Sequence, residues 1–181
     1  MRIVAGTLKG RRLDAPTWDG LRPTSDKLRE TLFNILAPRI VGARVLDAYA
    51  GTGALGIEAI SRGAVRVTFV EQDRRAQALI AANLARCGVA DGYAIIRSSV
   101  GRAFDALRVD PAFVPFDIIL LDPPYQQLPD AVLPPTAALL ASGGVVVLEH
   151  AQRQPVPDAV GELTRSRQVR SGNSMLSFFS R

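Results

Sequence analysis

The chain has 181 residues, 48% hydrophobic and 22% charged, enough to bury a real core and too apolar for a disordered protein. No apolar run approaches the roughly 20 residues of a membrane-spanning helix, and the polar start, broken by Lys9, Arg11 and Arg12, is not that of a secretory signal. The net charge of +5 is carried by residues 1–39 and 151–181, around a slightly acidic middle, as suits a polyanion gripped at its phosphates.

Short β-rich runs alternate with helical patterns, which predicts an α/β fold with a mostly parallel sheet. Residues 3–6 and 11–13 read as a small N-terminal hairpin with Lys9-Gly10 near its turn. Thr24 or Ser25 can cap a helix running to about Leu36, with Leu28, Leu32, Ile35 and Leu36 on one face and Pro38 as its stop. The first strand is expected at 44–48, followed by a glycine turn and a helix over 54–61. A second strand over 65–70 leads to a helix over 74–87 that ends at Gly88, a residue suited to a left-handed cap. A third strand is expected at 93–97, with a short helix to Leu107. The unbroken apolar run 116–121 reads as a central strand covered on both faces. One helix over 128–140 then leads into a fifth strand over 144–149. Residues 163–170 and 174–179, joined at Ser171-Gly172-Asn173, complete seven strands as a C-terminal antiparallel hairpin. Residues 1–39 are expected to extend the same domain as 40–181.

Two motifs carry chemistry. In the first, Asp47-Ala48-Tyr49-Ala50-Gly51-Thr52-Gly53-Ala54-Leu55-Gly56 places glycines at a strand-to-helix turn. Gly51 and Gly53 let backbone pass close to a ligand, and Gly56 permits tight helix–strand packing. Asp47 lies at the end of the first strand. Glu71 follows the second strand, where a carboxylate can accept hydrogen bonds from ribose hydroxyls. This set serves a nicotinamide dinucleotide and S-adenosylmethionine equally well, so an NAD(P)-dependent oxidoreductase remains open at this point.

The second motif, Asp122-Pro123-Pro124-Tyr125, directly follows the buried fourth strand. Two prolines remove two backbone donors, leaving a stiff turn rich in acceptors beside a flat aromatic face. An amino group on a nucleic-acid base is a poor nucleophile, because its lone pair is delocalised into the ring. Accepting its hydrogens on the Asp122 carboxylate and a Pro123 or Pro124 carbonyl would localise that lone pair towards a methyl donor held at Gly51 and Gly53. Tyr125 would stack on the base, for ~1–3 kcal/mol.

With both motifs present, the sequence resembles the class I methyltransferases that act on planar amino nitrogens. More particularly, it is similar to the RsmD-type guanine-N2 methyltransferases of bacterial 16S rRNA. The resemblance rests on Arg2-Ile3-Val4-Ala5-Gly6, on the run from Arg22-Pro23-Thr24 to Leu36, on the glycine turn, on Phe69-Val70-Glu71 and on Asp122-Pro123-Pro124-Tyr125. It implies a Rossmann-like fold and S-adenosylmethionine as donor; with one histidine and one cysteine, the sequence itself offers no metal site. The resemblance also implies methyl transfer to a guanine in 16S rRNA of an assembling small subunit. The expected cofactor contacts are Thr24, Asp47, Tyr49, Gly51, Gly53, Glu71, Gln72, Ser99, Val100 and Asp122. Serines stand at 98–99, where the family often has an acid near the adenine. The expected catalytic residues are Asp122, Pro123, Pro124 and Tyr125.

No segment is spare for a target-recognition domain, so the RNA's own shape is expected to supply recognition. Arg2, Lys9, Arg11, Arg12, Arg22, Arg165, Arg167 and Arg170 are expected to contact its phosphates. The related N6-adenine RNA and DNA methyltransferases share the same motif chemistry, and a non-enzymatic RNA-binding factor is the rival of another class. His150, the one histidine, reads as structural, Cys87 as a small buried hydrophobe, and Trp18 and Phe33 as packing. A cytoplasmic monomer is expected.

Overall fold

The computed structural model describes residues 1–18, 25–124 and 127–181. Its helices and strands are α1 (Asp26–Ile40), β1 (Arg44–Ala48), α2 (Ala54–Ser61), β2 (Arg66–Glu71), α3 (Arg74–Arg86), β3 (Tyr93–Arg97), α4 (Val100–Val109), β4 (Phe116–Leu121), α5 (Pro129–Val132), α6 (Pro134–Ala137), β5 (Leu140–Ala151), β6 (Ala159–Val160), β7 (Leu163–Ser171) and β8 (Ser174–Ser180). They build one sheet in the order β3-β2-β1-β4-β5-β8-β7-β6. Strands β1 to β5 run parallel, while β8, β7 and β6 are joined antiparallel at the β5 edge. This is the class I methyltransferase architecture, with its C-terminal hairpin. The chain steps outward from β1 to β3, then returns to place β4 on the other side of β1. That reversal creates a crevice at the carboxyl ends of β1 and β4, the usual ligand site of open α/β sheets.

Both faces of the sheet are covered. On one side α1, α2 and α3 pack with Ile3 and Leu13 against Val45, Val67, Ile118, Leu120 and Val147. On the other, Phe104, Leu133 and Leu139 cover Leu46, Ile119, Val146 and Leu148. The alternation along each strand therefore decides which cover a residue meets, and two buried faces explain the near-continuous apolar runs.

Three expectations about elements need correction. The first helix runs through Pro38 to Ile40; Ile40 is buried and Arg39 donates to the Gly143 carbonyl (2.8 Å), which holds the last turn. The expected helix over 128–140 is instead two single turns, because Pro134 and Pro135 supply no N–H to continue the first. Leu140 already pairs with Phe116 as the start of β5. Among the described residues the sheet has eight strands rather than seven, the additional one being the two-residue β6, too short to leave a periodic pattern.

The N-terminal hairpin is minimal, a single Arg2–Arg12 bridge flanked by backbone bonds between Ile3 and both Arg11 and Gly10. Side chains of α2 anchor it. The wholly buried Glu58 carboxylate accepts from Val4 N (2.8 Å), Ala5 N (3.0 Å) and Arg62 Nε (2.8 Å), and Ser61 Oγ accepts from Leu8 N (3.0 Å).

Candidate active site

The glycine turn leaves β1 through three residues in the left-handed region. Tyr49 (φ 68°) is the only one with a side chain; Gly51 (55°) and Gly53 (77°) adopt the region without penalty. Ala50 N reaches Val70 O of the neighbouring strand (3.0 Å), and Gly53 N closes on Ala50 O (2.7 Å). Asp47 lies beneath the turn, 1% exposed, and accepts from Gly56 N (2.8 Å). It therefore organises the start of α2 rather than lining the cleft. Burial pushes its carboxyl up to about 8, helped by the charges of Asp122 and Glu71 and opposed by the Gly56 N–H.

Glu71 ties the second loop to the first. Its Oε2 accepts from Gly51 N (2.9 Å), and its Oε1 accepts from Gln72 N (2.8 Å) and Asp73 N (2.9 Å). Asp73 caps α3, and Arg75 pairs with it, holding its carboxyl down at about 2. The Arg75 guanidinium lies 4.9 Å over the Trp18 ring, so Trp18 packs at the cleft rim. Ser98 and Ser99, with Val100 and Gly101, form the next wall at the start of α4.

Opposite stands the loop after β4. Asp122, Pro123 and Pro124 line the same cleft, and the Pro124 carbonyl accepts from Gln127 N (2.8 Å). The loops after β1 and β4 are bonded directly: the Tyr49 hydroxyl donates to Gln127 Oε1 (2.5 Å). Burial raises that phenol to about 12, so it stays protonated and able to donate at any ordinary pH. The cleft of about 890 Å³ runs from Ser99 and Glu71, past Gly51, to Asp122, Glu149 and the β7–β8 turn, Ser171 to Ser174. It has room for a nucleoside-sized cofactor and a base together.

Thr24, Arg22 and Tyr125 lie outside the described residues. Of the other expected cofactor residues, Tyr49, Gly51, Glu71, Gln72, Ser99, Val100 and Asp122 line this one cleft. Asp47 and Gly53 stand behind it; a side chain at Gly53 would press on Ile80 at 3.3 Å.

Known proteins resemble this chain along its length. Residues 1–180 match the family described as Conserved hypothetical protein 95. Bacillus subtilis YlbH is 34% identical over 184 residues, covering 100% of this chain and 99% of that protein. The Ribosomal RNA small subunit methyltransferase D of Escherichia coli K12 is 42% identical over 144 residues, 80% of this chain and 68% of that protein. The chain belongs to the RsmD family. The solved structure of Escherichia coli yhhF, at 35% identity, superposes with a TM-score of 0.80 over 100% of this chain and 97% of that one.

The basic residues of this RsmD-family chain divide by position. Arg170 adjoins the cleft-lining turn, with its Nε on Gly172 O (3.1 Å), and Arg167 is exposed on the same strand. Arg165 is spent internally, on the Val156 carbonyl (2.9 Å) and the Asp158 carboxylate. Lys9 and Arg11 sit at the far end of the helices. The Lys9 turn packs on Ser61, where α2 ends, and Arg11 donates to Cys87 O (2.7 Å), where α3 ends. Arg12 is exposed, and Arg2 is largely exposed beside Asp26 (3.9 Å).

His150 is buried and does not line the cleft; it sits between Ser177 Oγ (2.9 Å) and Ala151 O (3.0 Å), and burial lowers its pKa. Phe33 and Cys87 are core residues. Among the described residues, no His, Cys, Asp and Glu cluster could hold a metal ion, and no helix is long and apolar enough to cross a membrane. Sequence reasoning missed Glu149, the Ser171–Ser174 turn and Asp73. The first lies one residue past an apolar run like many strand ends, and the turn reads as an ordinary hairpin loop.

Proposed function

We propose that this chain transfers a methyl group from S-adenosylmethionine to the exocyclic N2 of a guanine in small-subunit ribosomal RNA. The observation that carries the reading is the Tyr49–Gln127 bond, which holds the glycine turn and the Asp122-Pro123-Pro124 loop on one cleft. The small-subunit rRNA activity in the name of the Escherichia coli relative supports the substrate class.

The residues fit the donor. Glu71 offers carboxylate acceptors for a ribose, and Ser98, Ser99 and Val100 flank a nucleobase-sized end. The acidic side chains of Glu71 and Asp122 line the cleft that would receive a cationic ligand, whereas burial, with their charges added, keeps the Asp47 carboxyl behind them protonated. S-adenosylmethionine supplies the electrophilic methyl, on a positively charged sulfur. Asp122 accepts one N2 hydrogen of the guanine. The Pro123 carbonyl is the better second acceptor, since Gln127 already uses that of Pro124. Both bonds draw the nitrogen lone pair out of the ring and aim it at the methyl. As the N–C bond forms, the methyl–sulfur bond breaks, leaving neutral S-adenosylhomocysteine, and the nitrogen sheds a proton to Asp122 or to solvent. The target base must leave its stack to reach this loop.

Radiolabelled methyl transfer onto small subunits from a strain lacking the enzyme, with nucleoside analysis, tests the reading. N2-methylguanosine is expected, and N6-methyladenosine would overturn it. Asp122→Ala and Tyr125→Ala should each lower the transfer rate by at least about a hundredfold, with S-adenosylhomocysteine affinity changed only a few-fold by calorimetry. Tighter binding of NADH than of S-adenosylhomocysteine in that titration would overturn the cofactor.

A further inference from the structure

The guanine reading leaves the cleft wall beyond Asp122 without a task. Leu121 is in register with Leu148 across the parallel β4–β5 pair, so Asp122 and Glu149 stand side by side one residue further on. Neighbouring strands lie about 4.8 Å apart. Alternation puts both side chains on the same face: Leu120 and Val147, two residues earlier, belong to the core under α1 and α2. On the other side of Glu149 lies β8, paired Glu149 to Leu176 and Ala151 to Ser174, so Ser174 shares that face diagonally. Glu149, Ser171, Asn173 and Ser174 all line the cleft with Asp122.

We propose that Glu149 is the residue that selects guanine, by accepting the N1 hydrogen next to the amino group held by Asp122. The inference rests on the guanine-N2 reading above and deepens it. Guanine presents two donors side by side, N1–H and the N2 amino group, followed by the O6 acceptor. Two carboxylates in adjacent registers match the two donors. The hydroxyls and amide of Ser171, Asn173 and Ser174 give the neighbouring turn donors of the kind O6 requires. Adenine presents a bare N1 lone pair beside its amino group, which a carboxylate repels. Flipped bases are read in this way, along the Watson–Crick edge. A site built around a substrate N–H also rejects strongly an analogue that lacks it, since a buried acceptor is then left unpaired. Glu149 touches the substrate but transfers nothing, so its signature is specificity rather than rate alone.

2-Aminopurine keeps the N2 amino group, has an N1 lone pair in place of N1–H and also lacks O6, so the N1 contact is read from the change in base preference that Glu149→Gln brings. Small subunits are reconstituted with 16S rRNA carrying guanine or 2-aminopurine at the methylated position, and single-turnover rates are measured on each. The wild-type chain should prefer guanine by on the order of a hundredfold. In Glu149→Gln, whose amide can donate to N1, the guanine rate should fall by tens of fold. The 2-aminopurine rate should hold or rise, so the preference collapses. S-adenosylhomocysteine affinity should stay within about twofold.

Equal wild-type rates on the two bases would overturn the proposal whether or not the variant folds. So would a variant that keeps the wild-type preference, or one that loses S-adenosylhomocysteine affinity, which would make Glu149 a cofactor ligand. Transfer by the wild-type chain to adenine rather than guanine would instead overturn the guanine-N2 reading itself.

Discussion

At the scale of single residues, two acids beneath the glycine turn do different work. Asp47 is held above its unfolded pKa by burial first and by Asp122 and Glu71 next. The folded chain therefore binds this proton more tightly than the unfolded chain does. The contribution to stability is complete below about pH 4 and is lost progressively as pH rises to about 8. Asp47→Asn keeps an oxygen for the Gly56 N–H and carries no charge, so urea denaturation should show a smaller loss of stability between pH 5 and pH 8 than in the wild type. Glu71 instead satisfies three backbone donors with two oxygens. Glu71→Gln turns one of those oxygens into a donor facing donors. It should cost about 1–3 kcal/mol by thermal or urea denaturation, and weaken S-adenosylhomocysteine binding in a titration.

At the scale of elements, the packing of α2 onto β2 sets the angle at which the glycine turn meets the cleft. A Cβ on Gly56 would lie 2.1 Å from the Phe69 ring and 2.9 Å from Val67, both buried. Gly56→Ala should destabilise the chain by about 1–3 kcal/mol, read from the urea midpoint.

The sequence made this region legible because each feature there is local. A β-run, a glycine turn and a helix follow one another, and the acids occupy the strand ends. Arg44–Ala48, Ala54–Ser61 and Tyr93–Arg97 lie where the apolar pattern places them. The first helix outran Pro38 because burial of Ile40 is a tertiary gain that no local signal carries. Glu149 was illegible for a related reason. Its significance comes from standing beside Asp122 across two strands, and from a turn 22 or more positions further along. Likewise, nothing in the local sequence of Glu58 signals that it is wholly buried beneath the N-terminal hairpin.

For the whole molecule, the distribution of charge is more informative than its sum. Arg167 and Arg170 lie on the strand that leads into the cleft-lining turn, whereas Lys9 and Arg11 lie where α2 and α3 end. Arg167→Ala with Arg170→Ala should weaken binding to small subunits and reduce the salt slope of log K by about 2 at most, one unit per lost phosphate contact. Lys9→Ala should leave both nearly unchanged. Filter binding over a range of salt concentrations separates the two outcomes.

The phenol of Tyr49 straddles the two halves of the cleft, and it remains a donor because its pKa lies near 12. A first guest that stiffens the loop receiving it would, through this strut, also stiffen the loop awaiting the second. Part of the ordering cost of the second guest is then already met, and by linkage the benefit is mutual. Donor and acceptor should each bind more tightly in the presence of the other, and the spent sulfide and the modified base should loosen each other as they leave.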